Sequence, residues 1–169
     1  MSEAARETTM LAALTRLISR WSTASTQRAI AEGVGVTLDA ADIRAVYVLG
    51  LHGGAARPSE LADELSLTRP TMSKLLARLA AAGLIDREGD PTDGRASRVA
   101  LSDEGAAVFE RLFGAGVQLV REALADWPAA DAAAIATLLP RFVDAVVGET
   151  RLVPAEPDTR TAVEEAASE

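Results

Sequence analysis

LADELSLTRPTMSKLLARLAAAGLIDREGDPTDGRASRVALSDEG, residues 61–105, decides how this chain is read. Just before it, Pro58 suits the first turn of a helix, where its missing N–H breaks no hydrogen bond. Glu60 complements the positive end of that helix. Leu61, Ala62 and Leu65 form its inner face, and Ser66-Leu67-Thr68 is a turn. Thr68 is a good N-cap for a second helix over 69–82, with Pro70 in its first turn. Met72, Leu75, Leu76 and Leu79 recur at i, i+3, i+4 and i+7 and form the core face. Arg69, Thr71, Ser73, Lys74 and Arg78 fall largely on the other faces, and Gly83 ends the helix. Leu84–Arg87 and Ser97–Leu101 read as the two arms of a hairpin. Between them lies a polar tip, Asp90-Pro91-Thr92-Asp93-Gly94-Arg95, and Ser102 caps the helix that follows.

Two short helices at a tight turn followed by a hairpin are the layout of a winged helix-turn-helix. The fold class is therefore mainly α, with a small β-hairpin wing. Such a layout places the second helix in a DNA major groove and the hairpin tip in the minor groove beside it. Arg95, at an Asp-Gly-Arg tip, suits a narrow, strongly negative minor groove. Asp93 and Gly94 then shape the wing, since an acid would be repelled by DNA. On the second helix, Arg69 can read guanine with two bonds, and Lys74 can meet a guanine or a phosphate. Thr71 and Ser73 offer hydroxyls to phosphates or base edges. Pro70 can touch a thymine methyl, though starting the helix is its plainer role. Arg78 suits an internal ion pair as well as a phosphate. Arg57 and Ser59 are backbone-contact candidates. Arg98 binds phosphate or pairs with an acid of the hairpin, and for Arg87 the structural ion pair is preferred.

The chain has 169 residues and a net charge of −8, which is unusual for a DNA partner. Its distribution changes that reading. Residues 1–56 and 57–100 are each neutral, and the whole excess of acid lies in residues 101–169. Within 66–78 there are three cations and no acid. Local charge decides phosphate contact. Hydrophobic residues make up 49% and aromatics only 4%, a mix that favours helices. With no Cys, disulfides, thiolate metal sites and thiol redox sensing are excluded. A single His leaves little for a metal site or a catalytic base. Together with the lack of a glycine-rich phosphate loop, this argues for a binding protein without cofactor or metal rather than an enzyme. No signal peptide and no membrane-spanning run is evident, so a cytoplasmic protein is expected.

Outward from the motif, residues 8–31 read as one helix, with Leu11, Leu14, Leu17, Ile18 and Trp21 on one stripe and Gly33 and Gly35 as its stop. A further helix is expected from about Asp39 to Leu51, with Ile43, Val46, Tyr47 and Leu49 inward. After the hairpin a long helix runs to about Asp126. Trp127-Pro128 breaks it, and a last helix spans about 129–147, with Pro140 expected to kink it. The Pro-, acid- and Ala-rich end, residues 152–169, is expected to be a disordered acidic tail.

Residues 61–105 resemble the MarR family of bacterial transcription regulators. The resemblance rests on Glu60-Leu61-Ala62, Leu67-Thr68-Arg69-Pro70-Thr71, Leu79-x3-Gly83-Leu84-Ile85-x-Arg87, Asp93-Gly94-Arg95 and Val99-x-Leu101-Ser102-x2-Gly105. Ser66 stands where that family commonly has Gly, and Ser102 where it commonly has Thr; neither departure is expected to matter. The flanking helices extend the resemblance to about residues 8–148. It implies a homodimer built from a helical dimerisation region, residues 8–36 and 102–148, around a DNA-binding domain, residues 37–101. It also implies a pseudo-palindromic operator on double-stranded DNA, with half-sites roughly 10 base pairs apart. Members commonly act as repressors that a small aromatic or anionic ligand releases. For such an effector the candidates are Arg16, Arg20, Trp21, Tyr47 and His52, with Phe109 and Phe113, because an anionic aromatic needs a cation and a flat apolar wall. Core or dimer interface is the plainer role for Trp21 and Tyr47, and a dipole-stabilised helix end that for His52. The alternative function is a winged-helix module, binding DNA or protein, without small-molecule input.

Overall fold

The computed structural model describes residues 2–89 and 97–148. Of these, residues 2–123 form one unit and residues 124–148 belong to another.

The first unit begins with two helices, α1 (Glu3–Trp21) and α2 (Ala24–Gly33), where the sequence suggested one. Thr23 makes the break. Its backbone is extended and its hydroxyl accepts from the Thr26 N–H, capping a new helix. Next comes α3 (Ala40–Leu51), which buries Ile43, Val46 and Leu49 as expected and leaves Tyr47 half-buried. Its neighbour Ala45 and the charged Asp42 are buried as well.

The helix-turn-helix is α4 (Pro58–Glu64) and α5 (Arg69–Ala81). Leu61 and Ala62 of α4, with Leu65 just after it, and Met72, Leu75, Leu76 and Leu79 of α5, join one core with Val46, Leu49, Val99 and Val108. The periodicity therefore identified the buried face correctly. The turn between the helices closes through Ser66, whose φ of 54° is the sole positive value at a non-glycine position among the described residues. The Leu67 N–H then reaches back to the Ala62 carbonyl at 2.8 Å. α5 ends in the same manner, but there Gly83 supplies the positive φ, 70°, and the Leu84 N–H reaches the Leu79 carbonyl. A left-handed backbone is free for Gly and costs an L-residue about 1–2 kcal/mol. Ser66 thus matters physically, contrary to expectation: it bears a strain that Gly would not.

The hairpin is β2 (Ile85–Gly89) and β3 (Ser97–Leu101), paired antiparallel from Ile85–Leu101 to Gly89–Ser97. A third strand, β1 (Ala55–Ala56), lies on the other edge of β3, pairing Ala55 with Ala100 and Ala56 with Val99. Ser102 then joins the hairpin to α6 (Asp103–Ala123). Its hydroxyl donates to the Gly83 carbonyl at 2.6 Å and accepts from the Gly105 N–H at 3.0 Å, and its own N–H donates to the Leu84 carbonyl. One residue ties the exit of α5, the start of β2 and the first turn of α6 together.

In the second unit, α7 (Ala129–Gly148) runs through Pro140. The expected tail lies outside the described residues.

Candidate nucleic-acid interface

α5 sets out the site. Because its four large apolar residues are all drawn to one face, Arg69, Pro70, Thr71, Ser73, Lys74 and Arg78 are all exposed. Thr68 fixes where the helix starts: its backbone is extended and its hydroxyl lies 2.9 Å from that of Thr71, whose N–H it also caps. The first turn therefore presents Arg69, Pro70 and Thr71 at the positive end of the helix dipole. Among the described residues, Arg69 and Lys74 have no ion-pair or hydrogen-bond partner. Both cations are available to an outside anion.

The hairpin brings further candidates alongside. Arg69 and Ser73 of α5, Pro58 and Ser59 of α4 and Arg87 of β2 line one hollow of about 300 Å³. Its floor includes Met72, Leu76 and Val99, so cationic and hydroxyl groups rim an apolar base. Ser59 and Arg87 are exposed and Arg57 is half-buried. The Arg57 N–H is held by the Glu60 carboxylate at 2.8 Å, which fixes the start of α4. Arg98 is half-buried and donates to the Ala55 carbonyl at 3.1 Å, bracing β1 against β3. Asp93, Gly94 and Arg95 lie outside the described residues.

Arg78 sits differently from the other cations of α5. Its guanidinium grips Asp42 with two bonds, Nη2 to Oδ1 at 2.6 Å and Nε to Oδ2 at 3.3 Å. The hydrogen bond, and then the charge, of Asp42 hold the guanidinium pKa above its ordinary value. Of the two roles considered for Arg78, the internal ion pair is the one made here. Asp42 and Glu64, the latter 2.5 Å from His52, were not singled out in the sequence. Each is one acid among many, and only the fold brings it to its partner.

The effector candidates divide. Arg20 and Trp21 line a wide groove of about 870 Å³ between α1, α2 and α6. Trp21 and Tyr47 line an adjoining cavity of about 60 Å³, with Gln27 and Leu112. Burial raises the Tyr47 phenol pKa above 10.0. Tyr47, Phe109 and Phe113 form an aromatic cluster, with ring centres 5.5–6.2 Å apart. Arg16 lines neither space, and His52 is placed at the end of α3 against Glu64 of α4. The structure thus brings Arg20, Trp21 and Tyr47 to neighbouring spaces and leaves Arg16 and His52 outside them.

Fold and site together define a winged helix-turn-helix protein. The MarR-family model matches residues 34–96. Over 74 residues, 44% of this chain, the sequence is 35% identical to the Uncharacterized HTH-type transcriptional regulator ML2140 of Mycobacterium leprae. That match covers 46% of the relative, so the chain spans about half the length of the curated relatives it matches. The crystal structure of RV1404 from Mycobacterium tuberculosis is similar at a TM-score of 0.60, with 23% identity over 86% of this chain and 94% of that one. Wild-type MarR in its apo form, from E. coli, is similar at 0.59, with 22% identity over 79% and 96%. At that identity the two structures speak for the fold. The likeness to the MarR family thus holds over residues 34–96 of this chain. Among the described residues, no helix is long and apolar enough to cross a membrane.

Proposed function

We propose that the protein is a sequence-specific DNA-binding transcription regulator, acting as a homodimer in the cytoplasm. The observation that carries the reading is α5 itself. Its exposed first half offers Arg69, Thr71, Ser73 and Lys74 with no acid between residues 66 and 78, beside the base of a hairpin wing. The hydroxyls and Lys74 hold the backbone and Arg69 reads a base edge, and Arg95 remains the sequence's candidate for the minor groove.

Exposed apolar faces support the dimer. α1 buries no residue and exposes Met10, Leu11, Leu17, Ile18 and Trp21. α7 likewise exposes Leu138, Leu139, Val143, Val146 and Val147. Apolar faces of this extent are unfavourable in water, and a second copy covers them. Two copies place two recognition helices on a pseudo-palindromic operator.

Repression relieved by a small aromatic or anionic ligand completes the proposal. Its support is the groove lined by Arg20 and Trp21 and the cavity between Trp21 and Tyr47. Arg20→Ala should abolish release by such a ligand and spare DNA binding; normal release would remove Arg20 from the site. The function itself is tested by fluorescence anisotropy on the DNA upstream of the protein's own gene, at two salt concentrations, against a scrambled duplex. Tight, selective binding is expected. Weak, equal and steeply salt-dependent binding to both duplexes would count against it.

A further inference from the structure

Among the described residues, the side chains of α5 make one polar link to another element and otherwise meet the lobe through apolar contacts. Asp42, in the first turn of α3, is 6% exposed and is the one buried charged residue among those described. A buried carboxylate persists only when it is paired, and its partner is Arg78, in the last turn of α5. Apolar contacts set the distance between two helices but resist sliding and rotation weakly. Two charge-assisted bonds in a fork have fixed directions and resist both. The clasp therefore ties the rotation and register of α5 to α3.

We propose that Asp42 is a positioning residue for DNA recognition: its two-point clasp on Arg78 aims Arg69, Thr71, Ser73 and Lys74 at the groove. The inference rests on the DNA-binding function proposed above. Arg69 lies nine residues before Arg78, roughly 13 Å along the helix axis. A tilt of about 5° at the clasp then moves the start of α5 by roughly 1 Å, more than a base-edge hydrogen bond tolerates. Asp42 is too deeply buried to touch DNA, and as an anion on the DNA-facing lobe it works against phosphate attraction. On electrostatics alone, removing its charge would strengthen binding to every duplex. Positioning predicts the opposite on a recognised sequence.

The test uses the full chain and a duplex enriched by the wild-type protein from a randomised library, against a scrambled duplex of equal length. Asp42→Asn keeps the size and removes the charge. Arg78→Lys keeps the charge and removes the two-point geometry, so it carries the test alone if the first variant fails to fold. Binding is measured well below each melting midpoint, so lost stability alone moves neither affinity. Each variant should bind the selected duplex on the order of tenfold more weakly, the loss expected for one charge-assisted bond. Affinity for the scrambled duplex should not fall, the salt slope should stay that of the wild type, and the double variant should lose no more than either single one. Unchanged or tighter binding of the selected duplex by the variants, or equal weakening on both duplexes, overturns the inference. A wild-type protein that enriches no sequence overturns the DNA-binding function itself, and the inference with it.

Discussion

Gly105→Ala tests the junction on which the wing is mounted. Gly105 is in the first turn of α6, and a Cβ there would overlap the Leu84 carbonyl oxygen, with Leu101 Cδ2 at 3.2 Å. The obstacle is backbone and cannot rotate away. The same carbonyl accepts from the Ser102 N–H at 3.0 Å, and the Gly105 N–H donates to the Ser102 hydroxyl at 3.0 Å. Making room pushes the start of β2 away from α6 and breaks at least one of these bonds. A buried hydrogen bond left unmade costs about 1–3 kcal/mol, and overpacking a close contact adds about 1–3 kcal/mol. Against this, Ala gains about 1 kcal/mol over Gly within a helix. The net is a loss of roughly 1–5 kcal/mol. Urea unfolding followed by circular dichroism, at one fixed protein concentration so that the proposed dimer contributes equally to both variants, measures it. An unobstructed helical glycine would give the opposite sign. If Gly105→Ala unfolds at equal or higher urea, the contact between α6 and the strand is not as described and the reasoning fails.

Ser66→Gly relieves the left-handed turn between α4 and α5 and should raise stability by about 0.5–1 kcal/mol; a lower melting temperature would contradict the strain. Arg69→Ala should cost about 1–3 kcal/mol of DNA affinity and relax preference at one base pair per half-site. An equal loss on all sequences would reassign Arg69 to phosphate. Tyr47 is the single tyrosine, so tyrosinate absorbance reports it alone. Its midpoint should lie above 10.0, because burial disfavours the phenolate. Between 10.0 and that raised midpoint the unfolded chain has released a proton that the folded one retains, so stability falls as pH rises through this window. Tyr47→Phe should lessen that fall, and an identical pH profile would refute the linkage.

Much of this fold was legible because one physical signal dominates each segment. Met72, Leu75, Leu76 and Leu79 repeat at the helical period, and burial of that face alone decides which way Arg69 and Lys74 point. The failures have equally specific causes. The break at Thr23 went unseen because the apolar stripe ending at Trp21 and the glycines beyond residue 31 outweighed one capping threonine. β1 is two alanines with no strand preference; it exists because the open edge of β3 offers partners. Asp42 and Arg78 are separated by 36 residues, and no local pattern announces a pair made by tertiary packing. Ser66 looked like a neutral variant until its backbone angle gave the reason a glycine fits there. In the candidate site the same division holds. Residues on α5 were readable from periodicity, whereas the hollow that gathers Ser59, Arg69 and Arg87 needs three elements packed together.

The central claim is that two copies of this chain read a DNA sequence through α5. Selection from a randomised duplex library by this 169-residue chain, followed by sequencing of the bound fraction, tests it most directly. The account predicts a two-fold symmetric consensus with half-sites about 10 base pairs apart, whose symmetry-related positions relax together in Arg69→Ala. No enrichment, or an asymmetric consensus indifferent to Arg69, would contradict it.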